Sequence, residues 1–368
     1  MVSAINRKIM WLLQQRTGHQ ATKAELYSKL KRVQLCELSV EEKSDINNFW
    51  GHFPKNYNYW RFYKSMGITE NLYEIVPDDI YTRQILRILN PIHYAKAFHI
   101  KNVYPIIYKE LTQPRILINM INGIAYSNSM DIMSAKEILE TLLSVERFII
   151  KPTSGSCGGH GINIFATAKM TNDDIDSIIG SYGKNFVCQE IVQQSDITAK
   201  FSNSSLNTFR INSLHINGHT SVENIMFRHG QGNSNVDNFG MGGVCCGVEN
   251  NGQFTGKAID YSLNIHEITP FNIDYQKVFI PETKILVDYA INAHQHLLPM
   301  IGHVAWDFAL SDKNEPIFIE VNLGWPGLIS EQMSSQRPIF NHRTKEVLDY
   351  AIQNQDKLKI TDFLGGWI

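Results

Sequence analysis

The chain has 368 residues, 43% of them hydrophobic and 19% charged, with a formal net charge of −2. That composition excludes a disordered chain, and the near-neutral balance excludes the global basic field of a nucleic-acid or anionic-lipid binder. A chain of this length exceeds the size at which one hydrophobic core stops growing, so two or three lobes around a cleft are expected.

No apolar run approaches the roughly 20 residues of a membrane-spanning helix. The run 9–13, between Lys8 and Gln14, is too short for a signal-peptide core, and residues 1–16 read as an amphipathic helix. Cys36, Cys157, Cys188, Cys245 and Cys246 are odd in number and lack C-x-x-C spacing. They argue against a disulfide framework or a zinc site, and for a reducing, cytoplasmic setting.

Residues 1–111 read as a helix-rich region. Ser39 with Glu42 has capping-box spacing. The aromatic stretch 48–63, broken by Gly51 and Pro54, reads as a packed irregular segment, and 82–89 as a helix before Asn90-Pro91. Residues 112–195 read as a small α+β lobe. Its strands are expected at 115–120, 148–151, 162–167 and 185–192, with a helix opened by Ser134 and Glu137 and another over 173–182. Residues 196–368 read as a larger α+β lobe, with strands at 206–216, 219–228, 304–310 and 317–321. A helix is expected from Pro281 to about residue 298.

Several constellations carry chemistry. The strand ending at Lys151 runs into Ser154, Gly155, Ser156, Cys157, Gly158, Gly159, His160 and Gly161. Such a loop lets backbone N–H groups crowd around an oxyanion, with the lysine adding charge; the alternative is a plain flexible hairpin. It is not a Walker A loop, because the lysine precedes the glycines. Downstream, Asp307 and the pair Glu320 and Asn322 flank the turn 311–315. In a hairpin Asp307 lies nearly opposite Glu320, and Glu320 shares a face with Asn322, which gives an all-oxygen set suited to Mg²⁺. The same alternation also allows these residues to face solvent.

Arg210, among apolar neighbours, calls for an anionic partner in the protein or a substrate, unless it lies on an exposed edge. The glycine-rich stretch 235–244, containing Asn238, Gly242 and Gly243, reads as a mobile lid or a long exposed loop. Residues 187–194 read as an interlobe hinge.

The order of these pieces resembles the ATP-grasp superfamily, most closely its group associated with sugar transfer and teichuronopeptide-like polysaccharide synthesis. Val76-Pro77-Asp78-Asp79, Ile88-Leu89-Asn90-Pro91 and Lys101-Asn102-Val103-Tyr104 add to the match over about residues 75–340. The resemblance implies an α+β ATP-grasp fold with ATP held between two lobes. It implies phosphate contacts from Lys101 and Lys151 under the 154–161 loop, although Ile100 stands where the family often has an acidic residue and Lys96 lies nearby. It further implies adenine at Glu190, Ile191 and Val192, with the ribose near Gln194. Asp307, Glu320 and Asn322 match the ligands of Mg²⁺, with two ions expected and Mn²⁺ as a substitute. Arg210 matches a residue steadying the transferring phosphate, and Asn238, Gly242 and Gly243 match the active-site loop.

The implied activity is ligation of a carboxylate to an amine through an acyl phosphate, joining an amino acid or peptide to a uronic-acid-type saccharide. A phosphotransferase, or a non-catalytic nucleotide-binding protein of a polysaccharide-synthesis complex, is the alternative.

Overall fold

The computed structural model describes residues 26–51, 53–153, 160–232, 234 and 236–357. The amphipathic reading of residues 1–16 and the loop residues 154–159 therefore lie outside the described residues.

The chain begins with helices that pack through aromatic rings. Helix Val40–Trp50 starts at Ser39, whose hydroxyl accepts from the Glu42 N–H at 3.0 Å while the Glu42 carboxylate returns the bond, and it ends at Gly51. Residues 53–57 are irregular as expected, but residues 48–50 end the first helix and Asn58–Ser65 is a second, contrary to the reading of 48–63 as a packed irregular segment. Tyr59, Trp60, Phe62 and Tyr63 are buried, and tertiary burial of these rings outweighs their modest helix propensity. Trp50 and Trp60 meet edge to face at 5.9 Å. A helical run over 78–89 carries a π-turn at Tyr81–Ile85, and helix Ile92–Phe98 leads to the turn Lys101–Val103.

Two antiparallel sheets follow. The first has five strands: β1 Ile116–Ile121, β2 Ile124–Tyr126, β3 Arg147–Pro152, β4 Asn163–Ala166 and β5 Phe186–Glu190, in the order β2-β1-β5-β3-β4. The helices Ala135–Leu143 and Asn172–Ser181 pack with it around a core that includes Leu142, Phe148, Ile175 and Phe186.

The second sheet has seven strands. They are β6 Thr208–Ile216, β7 His219–His229, β8 Val244–Val248, β9 Phe254–Asp260, β10 Ile265–His266, β11 His303–Leu310 and β12 Pro316–Asn322. Their order is β10-β9-β8-β7-β6-β11-β12. Four strands escaped sequence reading: β2, β8, β9 and β10. The helix after Pro281 is Thr283–Leu297, so Pro281 stands just ahead of the Glu282 cap rather than inside the first turn. It packs against β6, β7, β11 and β12.

Strand alternation decides which side chains face the core. Phe209, Ile211, Phe227, Val304, Trp306 and Phe308 all join one buried cluster with that helix. Because neighbouring side chains point to opposite faces, Arg210, Arg228 and Asp307 emerge on the other face of the sheet. That other face is partly covered by helix Ile329–Ser335 and by the N-terminal helices, whose core runs continuously into Leu214, Ile216, Leu328 and Met333.

Trp306 anchors the first face. It is fully buried, and its Nε1 donates to Ser213 Oγ at 2.9 Å. Trp306→Ala removes both, and unfolding stability is expected to fall by about 3–5 kcal/mol, read as a lower urea midpoint.

Candidate active site

The sheet register builds the site. Asp307 stands opposite Arg210 on one side and opposite Glu320 on the other, so three charged residues form a row across β6, β11 and β12. A register shift between Asp307 and Phe308 adjusts the strand at that point. The Arg210 guanidinium grips Asp307 through two bonds, Nε to Oδ1 and Nη2 to Oδ2, each 2.8 Å. Arg228 Nη2 reaches Asp307 Oδ2 at 3.1 Å, and Asn322 Nδ2 donates to the same oxygen at 3.2 Å. Glu320 accepts from Lys101 Nζ at 2.7 Å.

Lys101 comes from outside both sheets. The turn carrying it is pinned to the first sheet, where Asn102 Nδ2 donates to the carbonyls of Met120 and Phe186 at 3.0 and 3.2 Å. Its ammonium meanwhile reaches the second sheet. Lys101 is 6% exposed and bonds Glu320, whereas Lys96 is exposed on its helix.

Charge is balanced across this cluster. Burial works to raise the Asp307 carboxyl, but the charges of Arg210 and Arg228 overcome it and hold Asp307 down at about 2. Glu320 is likewise held below its usual range: burial opposes this, and Lys101 outweighs it. Both carboxylates therefore stay ionised. Lys151, on β3, is pulled down to about 8 by burial, with the Lys101 charge adding and Glu320 opposing.

The expected residues fall into three groups. Lys101, Arg210, Asp307, Glu320 and Asn322 are joined by direct bonds, and Lys151 feels the charges of Lys101 and Glu320. Asn238, Gly242 and Gly243 form a tight turn beside Asp237. Asn238 caps the 3-10 turn Phe239–Met241, and a Cβ on Gly243 would fall 2.1 Å from the Asp237 carbonyl oxygen. Asp237 accepts from Thr208, which in turn accepts from Arg228 Nη2 at 2.7 Å, so this loop is linked to the charged row.

The hinge residues stand apart from that row. Ile191 and Val192 follow β5 and are half-buried. The Glu190 carboxylate is paired with Arg115 at the surface. The Gln194 amide is engaged within the chain, donating to the Ser202 and Ser205 carbonyls at 3.2 and 2.8 Å. Gly161 is described and ends β3's loop at a φ of +73°; Ser154, Gly155, Ser156, Gly158 and Gly159 are not.

Arg228 was missed in the sequence. It is 4% exposed and contacts Asp307, Asp237 and Thr208, yet it sits in an apolar run with no motif around it. A charge within a run otherwise fit for a buried strand was the available signal. A separate cavity of about 860 Å³ lies toward the far end of β6, lined by residues such as Arg87, Tyr94, His215, Asn217, Met300 and Tyr350. None of the charged row lines it.

Asp307, Glu320 and Asn322 fit Mg²⁺ by their chemistry. They supply hard oxygens side by side, and neighbouring cations keep the carboxylates ionised. Among the described residues no group of three or more His, Cys, Asp or Glu is placed to hold a metal.

The fold is α+β, and the match of residues 69–348 to a family model defines it as ATP-grasp, a class of ATP-binding ligases. The chain belongs to the family described as sugar-transfer associated ATP-grasp. No curated protein matches it. Among solved structures it is similar to the ATP-grasp ligase PsnB complexed with a phosphomimetic variant of its minimal precursor, Mg and ADP. That likeness has 11% identity and a TM-score of 0.41, over 71% of this chain and 61% of that one. It is also similar to D-alanyl-alanine synthetase A from Vibrio cholerae O1 biovar eltor, at 12% identity and a TM-score of 0.40, over 73% and 65%. An L-amino acid ligase from Bacillus licheniformis matches at 15% identity and a TM-score of 0.36, over 64% and 43%. The chain thus spans less than two thirds of each of these proteins.

The lowered Lys151 value has a pH consequence. Below about 8 the side chain is an ammonium, the form that would attract a triphosphate placed there; above it the charge is lost. ATP affinity is expected to weaken as pH rises through 8, by up to about tenfold per unit, with proton uptake on binding near that pH. Calorimetric titration across pH checks this, and Lys151→Met is expected to bind more weakly with a flat pH profile.

Proposed function

We propose that this chain is a Mg²⁺-dependent carboxylate–amine ligase that works through an acyl phosphate, with an amino acid or peptide joined to a uronic-acid-type saccharide. The observation that carries the reading is the row Arg210–Asp307–Glu320 with Lys101 reaching into it from a turn pinned to the first sheet. Cations and ionised carboxylates meet there at the junction of two lobes, as activation of a carboxylate by ATP requires. Membership in a sugar-transfer associated family supports a saccharide as one substrate.

In this reading Lys101 and Lys151 receive the phosphate oxygens, and Arg210 and Arg228 steady the transferring phosphoryl group. Asp307, Glu320 and Asn322 would hold Mg²⁺, which when bound neutralises charge on the triphosphate. The substrate carboxylate oxygen attacks the terminal phosphorus and the bond to ADP breaks. The amine nitrogen then forms the C–N bond, and phosphate leaves with the electrons of the broken C–O bond. The 154–161 loop would cover the phosphates, residues 190–194 would receive adenine and ribose, and the turn 238–243 would close beside the acyl group. The functional division we propose is 1–111, 112–195 and 196–368, with the enzyme acting in the cytoplasm.

The test is incubation with ATP, Mg²⁺, hydroxylamine and a panel of uronic acids, amino acids and peptides. A ligase gives a hydroxamate and free phosphate; a phosphorylated acceptor without free phosphate would show a phosphotransferase instead. Glu320→Gln is expected to lower turnover by about 10²-fold or more with melting temperature nearly unchanged. An unaltered turnover number in that variant would remove Glu320 from the metal site.

A further inference from the structure

Helix Ile329–Ser335 follows the strand of Glu320 and Asn322 after the loop 323–328, and it carries a further acidic residue to the site. Glu331 is 0% exposed. A carboxylate so placed is costly unless donors surround it. Ser330 Oγ donates to Oε2 at 2.8 Å. The other oxygen, Oε1, accepts no hydrogen bond from the described residues; its nearest charged neighbour is Arg210 Nη1 at 3.7 Å.

Arg210 thus stands between two carboxylates. Its Nε and Nη2 face Asp307, and its Nη1 faces Glu331. The side of Asp307 is that of the phosphate-binding lysine and the proposed metal ligands. On the side of Glu331 the turn at Gly327 lies against the carboxylate: Gly327 has a φ of +97°, and a Cβ there would lie 2.0 Å from Oε1. Any larger residue would push the turn off the carboxylate.

We propose that Glu331 receives the attacking nitrogen of the acceptor, a primary amine, and that its Oε1 is the missing hydrogen-bond partner of that N–H. The inference rests on the ligase reading above. The nitrogen lone pair forms the C–N bond as the carbon–oxygen bond to phosphate breaks, and that bonding pair leaves with phosphate. The bound ammonium first gives one proton to solvent, which frees the lone pair, and the surplus N–H proton of the new amide leaves with the phosphate. A carboxylate selects an amine over a hydroxyl because it attracts the cationic form and orients N–H donors. Ser330 fixes the group by holding Oε2.

The test uses the full chain with ATP, Mg²⁺ and glucuronate, and two kinds of nucleophile in parallel: hydroxylamine and the proteinogenic amino acids. In Glu331→Gln the KM for the preferred amino acid is expected to rise about tenfold or more, the loss of one charge-assisted hydrogen bond. Hydroxamate formation at saturating hydroxylamine, a neutral nucleophile that does not depend on the carboxylate's attraction for a cation, and the KM for ATP should stay within about twofold, and Glu331→Asp should restore part of the loss. Equal falls in hydroxamate and amide formation would overturn the inference, leaving Glu331 as a support for Arg210. So would an unchanged amine KM, or a wild-type chain that forms hydroxamate but takes no amine. Where Glu331→Gln does not fold, Ser330→Ala supplies the same comparison through a loosened carboxylate. A wild-type chain that forms neither product sinks the ligase reading itself, a distinct outcome.

Discussion

A carboxylate buried between two guanidinium groups is the constraint around which this molecule is arranged. Asp307 is 3% exposed and is held by Arg210 and Arg228 together. Removing either arginine leaves Asp307 as a buried charge without its full compensation, which costs about 3–5 kcal/mol. The cluster is therefore maintained as a unit, and each neighbouring element is placed to complete it. Strand β6 brings Arg210, β7 brings Arg228, β12 brings Glu320 and Asn322, and the turn after helix Ile92–Phe98 brings Lys101. The loop with Asp237 and the helix with Glu331 close the set from either side.

The same cluster balances its own charges. Lys101, Lys151, Arg210 and Arg228 are matched by Asp237, Asp307, Glu320 and Glu331. In the proposed function these cations would take phosphates and Asp307 and Glu320 would take a metal, and until then each group holds the other in register. Mg²⁺ and a triphosphate together carry opposite charges and would exchange with both partners at once, so little charge needs to be exposed to water during binding. Preorganisation of this kind places the donors before the chemistry begins.

Much of this was legible in the sequence, for reasons that are local. The capping boxes at Ser39 and Ser134 depend on side chains three residues apart, and both form. The pairing of Asp307 with Glu320 follows from a short turn between two apolar strands, and the register matches. Other features depend on distant packing and were not legible. Strand β8 is buried at every position, so it shows no alternation, and β9 and β10 have meaning only beside it. Helix Asn58–Ser65 is stabilised by contacts of its rings with Trp50 and its surroundings rather than by its own propensity. Arg228 and Glu331 carry no motif; their roles arise from which face of a strand or helix meets Asp307 and Arg210. The loop 154–159 lies outside the described residues, so its place over the phosphates remains a proposal.

The N-terminal helices share one continuous apolar core with the second sheet, running from Trp50 and Trp60 through Leu86 to Leu214, Met333 and Val347. Gly302 donates to the Leu89 carbonyl, and Asn90 bonds the carbonyls of His303 and Leu323, at the base of the two strands that carry the acidic residues. This region is thus a buttress, and a version of the protein reduced to its two sheets would present a wet, greasy flank beneath its own charged row. Grafting a different leader onto residues 112–357 would mean rebuilding that flank residue by residue, which ties any change in the helices to the geometry of the strands behind them.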